Sequence, residues 1–298
     1  MKISVKKIDS LRREMHFEVP RERVTRKLDE VLNNITRHAR IKGFRQGKAP
    51  RKLVESAHGD VAREEMMKSL IPEVYQEGIR QEKVDPIDFP AIDQVALNDD
   101  GLKFRATFDL RPEVEVKNYK GIKISKKSSA VADDEVTKSL DFFKKGRGLD
   151  EKAVLDDEFA KGLGFPALED LKNAVKRNLE QEKERQNRYD VETQLIDALI
   201  KSSKFDVPLS LVERQLSGRM EEFNRRMKTF GMKEEDILKK AEESKKELQE
   251  AAQKDVRTFL ILHKIAQVEK IEAAENENLS AKTLEFLLKE AKWEEASV

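Results

Sequence analysis

The chain has no cysteine in 298 residues, which excludes a disulfide scaffold, a thiolate metal site and a cysteine nucleophile. Such a composition suits a reducing compartment, and the cytoplasm is the expected location. Glycine and proline are scarce, at 12 and 8. With Glu, Lys, Leu and Ala abundant, that scarcity points to long helices and few turns, and away from a sandwich or barrel. Hydrophobic residues make up 38% against 39% charged, so one large core is not expected; two or three domains in an elongated arrangement are. No run approaches the ~20 apolar residues of a bilayer span, and "MKISVKKIDS" alternates where a signal would have an apolar core. Neither a membrane partner nor ordinary secretion is expected. One-signed charge is missing too: 59 Lys and Arg against 58 Asp and Glu leave +1, so an anionic partner must meet a local patch. His16, His38, His58 and His263 lie far apart in sequence with no pair at helical spacing, and no metal site is expected. Neither a GxxxxGK(S/T) loop nor a nucleophile elbow occurs, so no cofactor and no hydrolytic or ATP-driven chemistry is expected. The adjacent acids Asp133 and Asp134, and Asp156 and Asp157, read as helix-start or surface charges.

What is present starts with two apolar alternations. Ile3, Val5 and Ile8 read as one face of a strand, and Met15, Phe17 and Val19 as the face of a second, which makes a hairpin. After Pro20, the positions Val24, Leu28, Val31, Leu32, Ile35 and Ala39 step by three and four and predict an amphipathic helix. From Arg21 to Lys52 there are eleven Lys or Arg against three acids, a surplus of eight. This run reads either as a solvated helix face or as a contact for an anionic partner. The loop that ends it, "IKGFRQGKAP", favours the contact. Gly43 and Gly47 permit backbone angles other residues avoid, and Pro50 suits the start of a helix, so the loop forms a defined tip. On that tip Phe44 stands beside Arg45 and Lys48, the anchor-and-cation composition of a binding site. The other reading folds Phe44 back beneath the loop as a plug.

The second half predicts helices. Leu168, Leu171, Val175 and Leu179, then Leu195, Ile196, Leu199 and Ile200, flank a polar middle around Glu180 to Arg188, as in a helix packed at both ends. Leu211, Val212, Leu216, Met220, Phe223 and Met227 form one stripe that stops at Gly231. A third helix runs through "KELQEAAQKDVRTFLILHKIAQVEKI" and a last one through "AKTLEFLLKEAKWEEA". Met220, Phe223, Met227 and Phe230 read either as core or as an adaptable apolar surface for varied partners.

Gly43, Phe44, Arg45, Gly47, Lys48 and Pro50 resemble the ribosome-docking signature of the trigger factor family of bacterial chaperones. The opening strands, the basic helix, "EEMMKSLIPEVYQEGI" as a long helix and "GLKFRATFDLRPEVEVKNYKGIKI" as returning strands resemble that family's ribosome-binding domain. "LDDEFAKGLGF" and "FDVPLSLVERQ" are similar to the start of its helical domain and first arm. The resemblance implies an α+β ribosome-binding domain over 1–112, a linker over 113–150 and an elongated all-α chaperone domain over 151–298. It implies docking near the tunnel exit, on ribosomal protein and RNA, through the loop with Arg37 and Arg40 behind it. Nascent or unfolded polypeptides would then be held on the surface of Met220, Phe223, Met227 and Phe230, with a weak homodimer in free solution. Three departures qualify it: Gln46 stands where the family has lysine, "GRG" replaces the prolyl-isomerase domain between "VTKSLDFFKK" and "GLDEKAVLDDEFAKGLGF", and a helical hairpin is shortened near "EKIEAAENENLS". The chain is therefore expected not to be an enzyme. Three function classes stay open: a nucleotide-independent chaperone, a ribosome or nucleic-acid binding module without holding activity, and an isomerase with an unrecognised site.

Overall fold

The computed structural model describes residues 1–38, 41, 44–45, 47–146 and 155–295. The first strand, β1 (Lys2–Lys7), pairs antiparallel with β2 (Arg12–Pro20), Ile3 lying opposite Phe17. Met15, Phe17 and Val19 are all buried, as their alternation requires. Val5 is exposed instead, and Ile8 lies beyond the strand in the turn, because a period of two from Ile3 never reaches position 8. The stripe after Pro20 forms α1 (Arg21–His38), which buries Val24 and Leu32. Next comes α2 (Arg51–Glu82), kinked at His58, whose backbone leaves the helical region (φ −132, ψ 15). Two further strands, β3 (Ala91–Asn98) and β4 (Gly101–Asp109), complete an antiparallel sheet of order β1-β2-β4-β3.

Alternation in β4 places Leu102, Phe104, Ala106 and Phe108 on the face that carries Met15, Phe17 and Val19, and Met66, Leu70, Val74 and Tyr75 of α2 pack among them in one core cluster. Each of the Leu, Val, Met and Phe side chains among them contributes on the order of 1.5–3 kcal/mol relative to exposure. Phe17 stacks on Phe104 with ring centroids 4.6 Å apart. The close approach of α2 depends on Gly78, where an added Cβ would lie 2.5 Å from the Phe17 ring. Tyr75 carries a buried hydroxyl without a hydrogen-bond partner, and burial pushes its pKa up. A buried donor left unsatisfied costs about 1–3 kcal/mol. Tyr75→Phe is therefore expected to be neutral or to stabilise by up to roughly 1 kcal/mol in urea denaturation; a clear loss of stability would show that the hydroxyl has a partner.

Two compact units divide the chain: Met1–Glu113 with Phe205–Val256, and Val114–Lys204 with Arg257–Val298. The first unit adds helices from residues 205–256 to the sheet and helices above. The second opens on β5 (Lys123–Lys126) and α3 (Asp133–Gly146), so the 113–150 segment contains regular structure. The returning stretch read as strands is strand only over β4 and β5. After α4 (Asp157–Lys161), which Asp156 caps by accepting from the Phe159 N–H at 2.9 Å, comes α5 (Leu168–Ser202). Acids also open α3, so both adjacent Asp pairs mark helix starts.

The polar middle of α5 is packed as well as its ends. Asn187 is buried and donates to the Lys127 carbonyl at 2.9 Å and to Ser129 Oγ at 3.0 Å, while Lys183 reaches Glu135 and the Ala130 carbonyl, both at 2.8 Å. Gln194 donates to the Ser125 carbonyl at 3.0 Å and accepts from its N–H at 2.9 Å. The remaining helices are α6 (Leu209–Thr229), α7 (Glu234–Glu243), α8 (Lys245–Glu269) and α9 (Leu279–Lys289). The last expected helix ends early: Lys292–Glu295 is a strand, β6, paired in parallel with β5. Pairing with a distant strand overrides the helix propensity of Lys and Glu there. The architecture is thus a mixed α/β N-terminal region with a small sheet and a mostly helical remainder. No helix among the described residues is long and apolar enough to cross a membrane.

Candidate functional site

The basic run folds into α1, the loop after it and the start of α2, and its cations divide into two sets. Arg23 donates to Glu77 at 2.6 and 2.7 Å and to Glu73 at 2.8 Å, and Lys27 donates to Glu73 at 2.8 Å. These bonds tie α1 to α2. Glu77 first, then Glu73, holds the Arg23 guanidinium above its ordinary pKa; Lys27 and Arg23 in turn lower Glu73. Arg51 pairs with Asp29, and Arg21 reaches Asp99 at 3.9 Å. Arg26, Arg37, Arg45, Lys48 and Lys52 are exposed and make no ion pair among the described residues. The surplus of eight counted on the sequence is therefore split between internal pairing and free surface cations.

Of the free set, Arg45 and Lys48 lie on the loop, and Arg37 and Lys52 lie on the helices that flank it. Phe44 N–H donates to the Ile41 carbonyl at 3.1 Å, and Lys48 N–H to the Arg45 carbonyl at 2.9 Å. Gly47 sits at the third position of the second turn with φ +78, a conformation that favours glycine. Pro50 lies at the N-cap of α2, where its missing N–H costs nothing. Phe44 is 41% exposed, which excludes a buried plug. Gly43 and Arg40 lie outside the described residues, so the structure places Phe44, Arg45, Gly47, Lys48, Pro50 and Arg37 of the expected docking residues.

The other expected surface lies on α6. Only Leu211 and Val212 of this helix are buried; Met220, Phe223 and Met227 are half-buried and Phe230 is 69% exposed. Arg226 lies over the Phe230 ring, 5.9 Å from its centroid. The helix ends as expected at Gly231, with φ +77 and its N–H on the Lys228 carbonyl at 3.0 Å. The four residues do not form a core; they run along a partly covered helix face. Sequence reasoning missed Asp109 and Arg12 at the root of this helix, which have no local signature.

Residues 1–142 match the family model described as bacterial trigger factor protein, and residues 167–292 match that described as its C-terminus. The chain belongs to the trigger factor family. A trigger factor of Geobacter sp. (strain M21) is 26% identical over 374 residues, covering 93% of this chain and 86% of that protein. That of Bdellovibrio bacteriovorus is 24% identical and covers 96% of this chain and 87% of its own length. Over a shorter stretch, 53% of this chain, the Geobacter sulfurreducens trigger factor is 32% identical. A solved structure from work on promiscuous substrate recognition by the trigger factor chaperone shares the fold, with a TM-score of 0.54 at 14% identity over 97% of this chain and all of that one. The alignment to the Geobacter sp. relative is longer than this chain, so about a hundred of its positions face no residue here. The two family models leave residues 143–166 between them, too few for a separate isomerase domain. Family membership supports a chaperone role.

Proposed function

We propose that the chain is an ATP-independent chaperone of the cytoplasm that docks near the ribosomal tunnel exit and holds nascent or unfolded polypeptides on apolar surface. The observation that carries the docking half is the exposed Phe44 beside Arg45 and Lys48, which make no ion pair among the described residues, on a tight turn. Gly43, Arg37 and Arg40 complete this site in the proposal. Residues 1–112 act as the ribosome-binding domain, 113–150 mark the place where the family carries its isomerase, and 151–298 act as the chaperone domain. Holding rests on Met220, Phe223, Met227 and Phe230, whose apolar atoms remain accessible along α6. Shallow apolar contacts amid charge allow release without fuel. The same exposed surface supports a weak homodimer.

Two measurements test the reading. The purified protein is expected to delay aggregation of a denatured client without nucleotide, and Met220→Ser, Phe223→Ser and Met227→Ser together to reduce that protection several-fold with a small shift in melting temperature. If the client aggregates equally fast with and without the wild-type protein, the ribosome or nucleic-acid binding module becomes the better account. A short proline peptide is expected to isomerise at its uncatalysed rate, over roughly tens to hundreds of seconds. Acceleration would reveal an isomerase site outside the missing domain.

A further inference from the structure

The root of α6 is held by a carboxylate 101 residues earlier in the chain. Asp109, the last residue of β4, is 2% exposed. Its Oδ1 accepts from Arg12 Nε at 3.0 Å, and its Oδ2 accepts from the backbone N–H of Ser210 at 2.6 Å. Ser210 is the second residue of α6, and the residue before that helix, Pro208, offers no side-chain acceptor. A helix start presents unpaired N–H groups and partial positive charge. Asp109 thus supplies from the sheet the cap that the local sequence lacks. Around it, Arg214 of α6 meets the Asp88 carboxylate at 2.7 Å, and Arg12 approaches Glu213 at 4.0 Å.

We propose that Asp109 is a positioning residue that fixes the direction of α6 against the sheet of its own unit, and so sets where the holding stripe stands relative to the docking loop. This rests on the reading that α6 holds clients. Beyond its buried root, α6 is only partly covered; at mid-helix Arg219 and Gln215 donate to Asp255 of α8 at 2.6 and 2.9 Å, and the root is where α6 is tied to the sheet. At about 1.5 Å per residue the helix is roughly 30 Å long, and a tilt of about 10° at its root would carry its far end by about 5 Å. A buried carboxylate is stable only with its partners in place, which makes the clamp close to all-or-none.

The absence of cysteine makes the test direct. Spin labels on Lys7→Cys in β1 and Glu222→Cys in α6, both exposed positions, report the distance between sheet and helix. Asp109→Ala is expected to widen that distribution at least two-fold and to speed amide exchange at Ser210–Val212 about ten-fold, with β2 and β4 unchanged. Asp109→Asn, which keeps an acceptor for the Ser210 N–H, should fall between it and wild type. Client protection should drop while ribosome co-sedimentation stays the same. An unchanged width in folded Asp109→Ala, or exchange that rises equally through β2 and β4, overturns the proposal. If that variant does not fold, Asp109→Asn and Arg214→Ala carry the test, and an unchanged width in both overturns it. Should wild type fail to protect clients while the width still responds to Asp109, the holding reading fails and the clamp stands.

Discussion

Replacing Phe44, Arg45 and Lys48 together with alanine is expected to remove ribosome binding and leave the fold intact. The three side chains are exposed, and neither cation makes an ion pair among the described residues, so their loss should leave circular dichroism and melting unchanged. At an interface they have the character of anchors, an aromatic and two cations, and truncating such residues costs about 2 kcal/mol or more each. Even with incomplete additivity the dissociation constant should rise more than about 100-fold, which is roughly 3 kcal/mol. Added salt should weaken wild-type binding, since Arg37 and Lys52, which make no ion pair among the described residues, extend the positive surface on the helices beside the loop. Co-sedimentation at two salt concentrations reads both effects, and binding that survives the triple change would sink the docking site.

Gly101→Ala is expected to be among the most destabilising single changes in the chain. Gly101 opens β4 opposite Pro20 with φ +135, and a Cβ there would lie 2.0 Å from the Val19 carbonyl oxygen and 3.0 Å from the Arg21 nitrogen. Both are backbone atoms where β2 runs directly into α1, so neither can swing away as a side chain would. Strain of this kind, added to a displaced β2–β4 pairing, should cost about 3 kcal/mol or more. The matched control is Gly218→Ala on α6, where nothing lies within 4 Å of the added atom; it should stabilise by roughly 0.5–1 kcal/mol because glycine is a poor helix former. Equal melting temperatures for the two variants would refute the steric account.

Legibility tracked how local the cause was. The α1 stripe, the Gly231 stop and the turns that expose Phe44 all depend on neighbours within a few residues, and the sequence shows them. Strand β3 was missed because its register shifts between Asp93 and Ala96, where Gln94 takes φ +50, and the shift breaks the alternation that marks a strand. Helix α7 was missed as well: it is ten residues long and mostly charged, with Ile237 and Ala241 as its buried positions. The middle of α5 looked solvated because the groups that satisfy Asn187 lie about sixty residues away. Asp109 is the extreme case, since nothing near it in sequence announces a helix to cap.

The sheet edges carry a further consequence. An open strand edge is a template for any extended chain that drifts past, and unfolded clients are rich in such chains. Each of three edges here is blunted in its own way. Lys2, Lys6 and Lys7 line β1, a register shift distorts β3, and the Gln194 amide satisfies both the N–H and the carbonyl of Ser125 on β5, as a neighbouring strand would. A protein that spends its working life among sticky chains can embrace them with side chains and still decline to knit its own backbone into theirs.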